Sequence, residues 1–247
     1  MNCKNCGQIV DGDFCSQCGQ SSKVDKINLS NFLKEIPSSV FQIDKGLFYT
    51  LKELLIRPGY SINDFLNGKR KNHFKPVAYA LIFSTIYFLI SRLVGESTWM
   101  GEFIAGFSSV SSHSGSSTKV PLFFTWLSKN FAYSTLLLLP VFSFASYISF
   151  SGLGKNYLEH IVLNSYVTGQ QAIFYVIFVL LMPLSDNEFL EIAPIFISIF
   201  YAFWVYWQFF TEGNRIINIL RSILTYAIYM MFIFGLFFIS MAIQKQG

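Results

Sequence analysis

Long stretches without charged residues alternate with short charged segments along most of the chain. These runs cover residues 76–91, 130–154, 161–185, 192–211 and 222–244. A helix needs about 20 apolar residues to cross roughly 30 Å of hydrocarbon, and the first run reaches that length if Arg92 extends toward the interface. The runs lack the alternation of a membrane β-barrel. The pattern therefore predicts an all-α polytopic membrane protein with about five transmembrane helices.

A further uncharged stretch, residues 103–118, reads FIAGFSSVSSHSGSST. Its Ser and Gly content predicts a loop rather than a span. Composition agrees with a membrane protein, because 53% of the residues are hydrophobic and 13% are charged, against roughly 25% charged in ordinary soluble domains. The first twenty residues are polar and lack an apolar core, so we expect no signal peptide.

Lysine and arginine predict the orientation. Residues 1–75 contain 11 Lys/Arg and 7 Asp/Glu, a difference of +4, whereas residues 76–247 contain 7 of each. Lys69, Arg70, Lys71 and Lys75 lie next to the first span, where they are suited to bind the membrane surface. The positive-inside rule then predicts how this multi-pass protein is oriented in its membrane. Its N-terminus is expected in the cytoplasm and, after five spans, its C-terminus outside.

All four cysteines lie in the first eighteen residues, in the segment CKNCGQIVDGDFCSQCG. The spacing Cys3-x2-Cys6 and Cys15-x2-Cys18 lets paired thiolates bind one tetrahedral ion, and the glycine after each pair permits a tight turn. Asp11-Gly12 is a two-residue hairpin signal. The pattern predicts a minimal zinc ribbon, a small N-terminal zinc-ribbon hairpin here called the head, which binds one structural Zn²⁺. We expect the binding of this ion to supply the folding energy of the head.

Other interpretations of the cysteines carry less weight. Disulfides are not expected in a cytosolic segment, and redox-active Cys-x-x-Cys motifs occur singly on larger scaffolds. A rubredoxin-like iron site remains an alternative to zinc. Zinc ribbons also bind nucleic acids, but the head carries only Lys4 beside Asp11 and Asp13, so we do not expect nucleic-acid binding.

Between the head and the first span, the pattern predicts helices. After a linker at residues 21–28, apolar residues recur at three- and four-residue steps from Leu29 to Leu54, and Pro37 divides the pattern. The segment is either an in-plane interfacial helix or a cytosolic hairpin that packs on itself or on the bundle. The predicted domains are a head (1–20), the linker (21–28), amphipathic and basic juxtamembrane helices (29–75) and the five-span bundle (76–247).

Within the juxtamembrane segment, three further signals mark helix ends. Arg57-Pro58-Gly59 ends the amphipathic helix, and Ser61 with Asp64 predicts a capping-box start for a short helix. Gly68 ends that helix.

Three motifs occur in a specific order: CxxCG…CxxCGQ, then TLKELLIRPG (50–59), then FLNGKRKNHFKP (65–76). In this order they resemble the bacterial family known as domain of unknown function 3667. The resemblance covers roughly the first third of the chain. It implies a multi-pass inner-membrane protein with a zinc-ribbon head and no assigned activity.

The bundle offers no catalytic constellation. No ionisable group lies inside a span, and His73, His113 and His160 are scattered, so we expect no catalytic residues and no enzyme activity. Asn164, Thr168 and Gln171 step by four and three residues and form a polar intramembrane face. The face either joins helices or lines a conduit or lipid-headgroup pocket.

Two functions follow from the sequence. The leading hypothesis is a non-enzymatic scaffold or sensor, anchored in the lipid bilayer, whose zinc-binding head engages a cytosolic or membrane protein partner. The alternative is a membrane pore, transporter or lipid-handling protein that uses the polar face of span three; an intramembrane enzyme ranks third.

Overall fold

A computed structural model describes residues 1–24, 46–113, 120–184 and 189–246. The helices of these residues are α1 (Gly46–Ile56), α2 (Pro58–Leu66), α3 (Pro76–Val94), α4 (Trp99–His113), α5 (Leu122–Lys129), α6 (Phe131–Ser149), α7 (Tyr157–Leu181), α8 (Phe189–Phe209) and α9 (Arg215–Gln246). A 3₁₀ turn, Met182–Leu184, continues α7. In the described part of the chain, extended pairing is limited to two isolated antiparallel bridges in the head.

Five of these helices are long and apolar enough to cross a membrane: α3, α6, α7, α8 and α9. The prediction of an all-α protein with five transmembrane helices is therefore confirmed. The helix ends differ in detail from the uncharged runs. Arg215 and Arg221, which the charge pattern assigned to a loop, lie in the first turns of α9. A capping box of Asn156 and Glu159 begins α7.

The prediction of a loop at residues 103–118 is wrong for residues 103–113, because α4 extends to His113. This segment is not among the candidate spans, as the sequence predicted. Packing stabilises the first turn of α4, since Met100 is buried in a cluster that includes Tyr87 and Phe131. Serine and glycine content alone did not reveal this support.

The spans pack around two hydrophobic clusters. One lies at the end where α3 begins, here called the head end, and joins α1 and α2 to α7 and α8 through residues such as Leu54, Tyr166 and Tyr206. The other lies toward the opposite end and joins α3, α6, α7 and α9 to α4 and α5. The extramembrane helices are therefore integral to the two ends of the bundle.

Helix α9 is the most peripheral span. Only 11% of its most apolar window is buried within the protein, against 28–39% for the other four. Large apolar side chains, including Met231, Phe238 and Ile243, are exposed along it. An exterior of this kind is stable only against lipid, because water would leave a large apolar patch unburied.

The last part of the predicted amphipathic segment forms α1. Residues 25–45, which include part of the predicted linker and the positions from Leu29 to Ile43, lie outside the described residues. In α1, Leu54 is buried and Leu47 packs against the head-end cluster, while Phe48 is exposed. Among the described residues, this helix packs on the bundle.

The predicted capping box at Ser61 is wrong. Helix α2 starts earlier, with Arg57 at the N-cap and Pro58 in the first turn, because a proline ring is pre-organised for that position. Ser61 thus lies inside the helix, and its hydroxyl shares a hydrogen bond of 3.0 Å with His73 Nε2. The predicted stop is confirmed, since Gly68 follows the helix with a φ of 104°.

Candidate metal centre and its docking on the bundle

The head consists of two similar turns. In the first, Cys3 N donates to Gln8 O and Gly7 N to Cys3 O; in the second, Cys15 N donates to Gln20 O and Gly19 N to Cys15 O, all at 2.8–2.9 Å. Gly7 and Gly19 have φ values of 80° and 70°, which glycine adopts without strain. We call these turns knuckle 1 (residues 1–10) and knuckle 2 (residues 13–22).

Backbone pairing occurs within each knuckle rather than across the predicted Asp11-Gly12 hairpin. The bridges join Asn2 to Ile9 and Phe14 to Ser21, and Gly12 is not among the glycines with positive φ. The hexapeptide Cys-x-x-Cys-Gly-Gln occurs in both knuckles. Each knuckle therefore closes its own hairpin, and residues 11 and 12 only connect the two.

The four sulfurs converge on one point. Their Sγ atoms all lie within 4.8 Å of one another, with Cys3 Sγ 3.6 Å from Cys18 Sγ and Cys6 Sγ 3.5 Å from Cys15 Sγ. A zinc tetrahedron with bonds of about 2.3 Å has sulfur–sulfur edges of about 3.8 Å. The four cysteines predicted as ligands are thus close enough to bind one metal ion.

The surroundings shift the pKa values of these thiols in different directions. Hydrogen bonds from the backbone of Cys18, and then of Gln17, lower the pKa of Cys15 to about 6 against the effect of desolvation. The pKa of Cys3 is also lowered, first by the backbone of Cys6. For Cys6, the backbone of Gln8 favours the thiolate, but desolvation and the neighbouring sulfurs prevail and raise the pKa to about 12. The pKa is thus lowered for the first cysteine of each knuckle.

Knuckle 2 docks on the loop that precedes the first span. The side chain of Gln20 is buried, and its Nε2 donates to Gly68 O at 2.9 Å. Its Oε1 accepts from the backbone N–H groups of Arg70 and Lys71, each at 3.1 Å. One glutamine thus uses both ends of its amide to join the head to residues 68–71, here called the docking loop.

Knuckle 1 contacts the docking loop at its edge, and one large apolar side chain of each knuckle is exposed. Lys4 Nζ donates to Val24 O at 2.6 Å, and its side chain lies beside Gly68. Ile9 and Phe14 remain 66% and 68% exposed. Gln8, which occupies in knuckle 1 the position of Gln20 in knuckle 2, is exposed as well. The head therefore has a docked side and an open side.

The basic cluster predicted to bind the membrane surface also contacts the protein. Lys69 forms an ion pair of 2.8 Å with Asp64. The guanidinium of Arg70 lies 5.3 Å from the Phe65 ring centroid, and its Nε donates to Phe65 O at 3.3 Å. Lys71 lies beside Gly19, and Lys75 directly precedes α3. Membrane binding by these four residues stays a prediction.

Asp64 is the centre of a small charge network. It pairs with Lys69 and with Arg57, whose Nε also contacts Glu53 at 2.6 Å. Although partial burial opposes it, the hydrogen bonds and charges of Lys69 and Arg57 hold the pKa of Asp64 below its usual value. The network fixes the turn between α1 and α2 and the start of the docking loop.

Gly59 explains part of the RPG motif. It is buried, and a Cβ there would strike Phe209 N, Gln208 Cβ and Val205 O in α8. Its own N–H donates to Gln208 Oε1 at 3.1 Å. A side chain at this position would therefore separate α2 from the end of α8, so the motif supplies a close contact as well as a helix start.

The polar face of span three is divided by the structure. Asn164 is fully buried, donates to Ser146 Oγ at 2.8 Å and accepts from Tyr206 Oη at 2.8 Å. Ser146 in turn shares a hydrogen bond of 2.9 Å with His160 Nδ1. These bonds link α6, α7 and α8, so Asn164 acts as a packing residue of the kind common in membrane bundles.

Thr168 and Gln171 lie elsewhere. Both line a cavity of about 370 Å³ between the spans, and Gln171 Nε2 donates to Ser198 O at 2.9 Å. The intervening Gly169 faces α3, where a Cβ would collide with the Tyr79 ring. The three residues therefore share a sequence pattern but not a site.

Residues 44–88 match the model of the family described as protein of unknown function (DUF3667). This match supports the resemblance to that family which the motifs indicated. The matched range contains α1, α2, the docking loop and most of α3, and it leaves the head outside. No curated protein and no solved structure matches the chain. The matched range thus includes the docking loop and excludes the four cysteines.

Sequence reasoning missed Gln20. Its signal was present, because Cys-x-x-Cys-Gly-Gln occurs twice and glutamine is not needed to bind a metal. Sequence alone gave no reason to connect position 20 with position 68, since the contact depends on how the head folds back on the chain.

Proposed function

We propose that this protein is a non-enzymatic membrane scaffold or sensor whose metal-bound head engages a protein partner, cytosolic or membrane-bound. The observation that carries the proposal is the division of the head. Gln20 attaches the head to the docking loop on one side, whereas Ile9 in knuckle 1 and Phe14 in knuckle 2 expose about two thirds of their surfaces. Large exposed apolar side chains beside a fixed attachment point are typical of a docking surface.

The metal we propose is a single structural Zn²⁺. Cys3, Cys6, Cys15 and Cys18 would hold it, and four thiolates at tetrahedral spacing suit zinc best; rubredoxin-like iron is the alternative. The bound ion supplies the energy that orders the head. Cys3, Val10 and Cys15 form its only buried hydrophobic cluster in the described part of the chain, which is too small to fold a domain alone.

The orientation we propose places the head end in the cytoplasm and the membrane as the cytoplasmic (inner) membrane. Lys155 supports one shared face for the basic residues, because its Nζ donates to Asn63 Oδ1 at 3.0 Å and so lies at the head end with Lys69. Arg215 begins α9 at the same end. This distribution follows the positive-inside rule, and α9 then ends outside the cytoplasm.

The alternative function, a pore, transporter or lipid-handling protein, draws support from the cavity that Thr168 and Gln171 line. Asn164 does not contribute to this support, because its polar atoms are used in packing. We do not propose nucleic-acid binding, since Lys4 of the head donates to Val24 O.

The test compares detergent-solubilised pull-downs at equal membrane levels, followed by mass spectrometry. Ile9→Ser/Phe14→Ser changes the open side and leaves the cysteines intact, while Cys15→Ser/Cys18→Ser removes the metal site. Phe48→Ser/Ile56→Ser is the matched control, because it removes similarly exposed apolar residues from α1.

We expect the same partner proteins to be lost from both head variants and kept by the α1 control. If both head variants still bind the same partner proteins, the head serves only to stabilise its own turns, and the scaffold proposal fails. Elemental analysis of the wild type tests the metal: one zinc per chain supports the proposal, and one iron replaces it with the alternative.

A further inference from the structure

The cavity lies among six helices at the depth of the membrane. Residues of α3, α4, α6, α7, α8 and α9 line it, and its volume is about 370 Å³. Small-molecule sites in proteins occupy about 300–1,000 Å³ and are mostly apolar with a few placed polar groups. Phe131, Leu138, Phe142 and Ile199 give this cavity a mainly apolar wall.

Two serines in the wall have hydroxyl groups without a hydrogen bond of normal geometry. Ser84 in α3 and Ser198 in α8 are 1% and 4% exposed, and both line the cavity. Neither Oγ makes a hydrogen bond of normal geometry among the described residues, although the hydroxyl of Tyr175 lies close to Ser198. A buried hydroxyl without a hydrogen bond costs free energy. Neutral oxygen groups of a ligand in the cavity would satisfy these hydroxyls.

Other serines and threonines in the spans behave differently. Ser222 and Thr225 in α9 donate to backbone carbonyls four residues earlier, at 2.9 Å and 3.0 Å, as such residues commonly do in helices. Ser91, in the same helix as Ser84, does the same with Tyr87 O. Ser134 and Thr135, which also line the cavity, likewise donate to backbone carbonyls, so Ser84 and Ser198 are exceptions among these residues.

A third hydroxyl lies nearby. Tyr226 Oη is buried without a hydrogen bond of normal geometry, although its ring stands beside Gln171, and both residues line the cavity. Neutral donors and acceptors therefore reach the cavity from α3, α8 and α9.

The charge of the wall limits the class of ligand. Among the described lining residues, Glu102 is the only acid, and none is Lys, Arg or His. A carboxylate or phosphate would find no cation there and would meet a like charge at Glu102. An uncharged group can instead use Ser84 and Ser198.

We propose that this cavity binds one uncharged lipid-like molecule, whose apolar chain lies among the aromatic residues and whose neutral oxygen group hydrogen-bonds Ser84 and Ser198. The ligand reaches the cavity from the bilayer, since the cavity is formed by spans and the peripheral α9 supplies part of the wall through Tyr226 and Tyr229. The proposal does not depend on the function proposed for the head.

The test uses the full-length protein in lipid nanodiscs and a long-chain alcohol that carries a photoreactive diazirine in its chain. Matched diazirine probes with a carboxylate or with no polar group serve as comparisons. We expect saturable labelling of cavity residues by the alcohol, competed by unlabelled alcohol. The carboxylate should label them at least about tenfold more weakly, because binding would bury its charge unpaired.

Two sets of variants separate the hydroxyl groups from the space. Ser84→Ala/Ser198→Ala should weaken binding of the alcohol by about tenfold and leave the hydrocarbon probe unchanged. Ser222→Ala is the matched control, because it removes a buried hydroxyl bonded within its own helix. Ala172→Phe fills the cavity and should abolish labelling by every probe, whereas Ala242→Phe on the exposed side of α9 should not.

Labelling spread without saturation over outward-facing residues of α9 would overturn the proposal. Equal labelling by alcohol and carboxylate in the wild type, with no effect of the two serine substitutions, would overturn it as well. These substitutions remove one oxygen atom each and keep the volume of the packing nearly constant, so the test does not depend on a variant that fails to fold.

Discussion

The side-chain amide of Gln20 donates a hydrogen bond to the backbone carbonyl of Gly68 at 2.9 Å, in a contact that buries both groups. This bond connects the cysteine-rich head to the loop before the first span. Gln20 also accepts hydrogen bonds from two backbone N–H groups of this loop. Together the three bonds hold the head against the bundle.

Gln20→Ala should release the docking loop. Each hydrogen bond contributes about 1 kcal/mol, so exchange of the amide hydrogens of Arg70 and Lys71 should become about tenfold faster or more. Hydrogen–deuterium exchange of the intact protein measures this. Gln8→Ala removes the corresponding side chain of knuckle 1, which is exposed, and should leave both amides protected; unchanged protection in Gln20→Ala would contradict the docking.

Gly59→Ala should destabilise the fold. The new methyl group would overlap the backbone of α8 at Phe209, and overpacking of this kind costs about 1–3 kcal/mol. Thermal unfolding in detergent would show a lower midpoint. Gly235→Ala in α9 is the control, because a Cβ there meets no atom within 4 Å. Equal midpoints for the two variants would argue against a tight contact between α2 and α8.

Asn164→Leu and Thr168→Leu should have different effects, although the two residues share a helix face. The first leaves Tyr206 Oη and Ser146 Oγ without their amide partner, which should cost about 1–2 kcal/mol of stability. The second places a methyl-rich side chain into the cavity and should leave stability nearly unchanged. Unfolding measurements on both variants check this. Equal losses of stability would indicate that Asn164 and Thr168 belong to a single polar face.

His73 should remain neutral to lower pH than a free histidine. Burial, opposed in part by the carboxylates of Glu53 and Asp64 and aided by Arg57, lowers its pKa below the usual value of about 6.5. Because the folded state resists protonation, its stability is highest above pH 6.5 and falls as the pH drops from there toward the folded pKa. A titration of labelled histidine rings by NMR, with His73→Gln to assign the signal, measures the shift; a pKa above 6.5 would contradict it.

The proposed orientation predicts opposite signals from reporters at the two ends. A fusion partner active only outside the cytoplasm should work after Gly247 and fail before Met1. Five spans require the termini to lie on opposite sides, and the basic residues at the head end select which side. The reverse pattern would place the head outside the cytoplasm and remove the basis for a reduced four-cysteine metal site.

Some features were predictable because they depend on local chemistry. Charge cannot lie inside a span without cost, so the gaps between charges located the five helices. Two thiols separated by two residues can reach one ion, so Cys3, Cys6, Cys15 and Cys18 were identified as one cluster. The stop at Gly68 followed from a backbone conformation that glycine adopts easily.

Other features depend on neighbours that the sequence does not reveal. Asn164 and Thr168 are one helical turn apart, yet α6 and α8 close around the first while the second faces a cavity. Ser61 resembled a cap until Pro58 proved to begin the helix. Periodicity assigns a face to a residue, but packing at each depth decides what that face meets.

The segment between the docking loop and the first span is held on both sides. Phe74 N donates to Thr50 Oγ1 of α1 at 2.7 Å, and Phe74 O accepts from Tyr166 Oη of α7. Lys75 then occupies the N-cap position of α3. The backbone that donates to Gln20 therefore continues within a few residues into the first turn of α3. Displacement of the head would thus loosen the segment that positions a membrane helix.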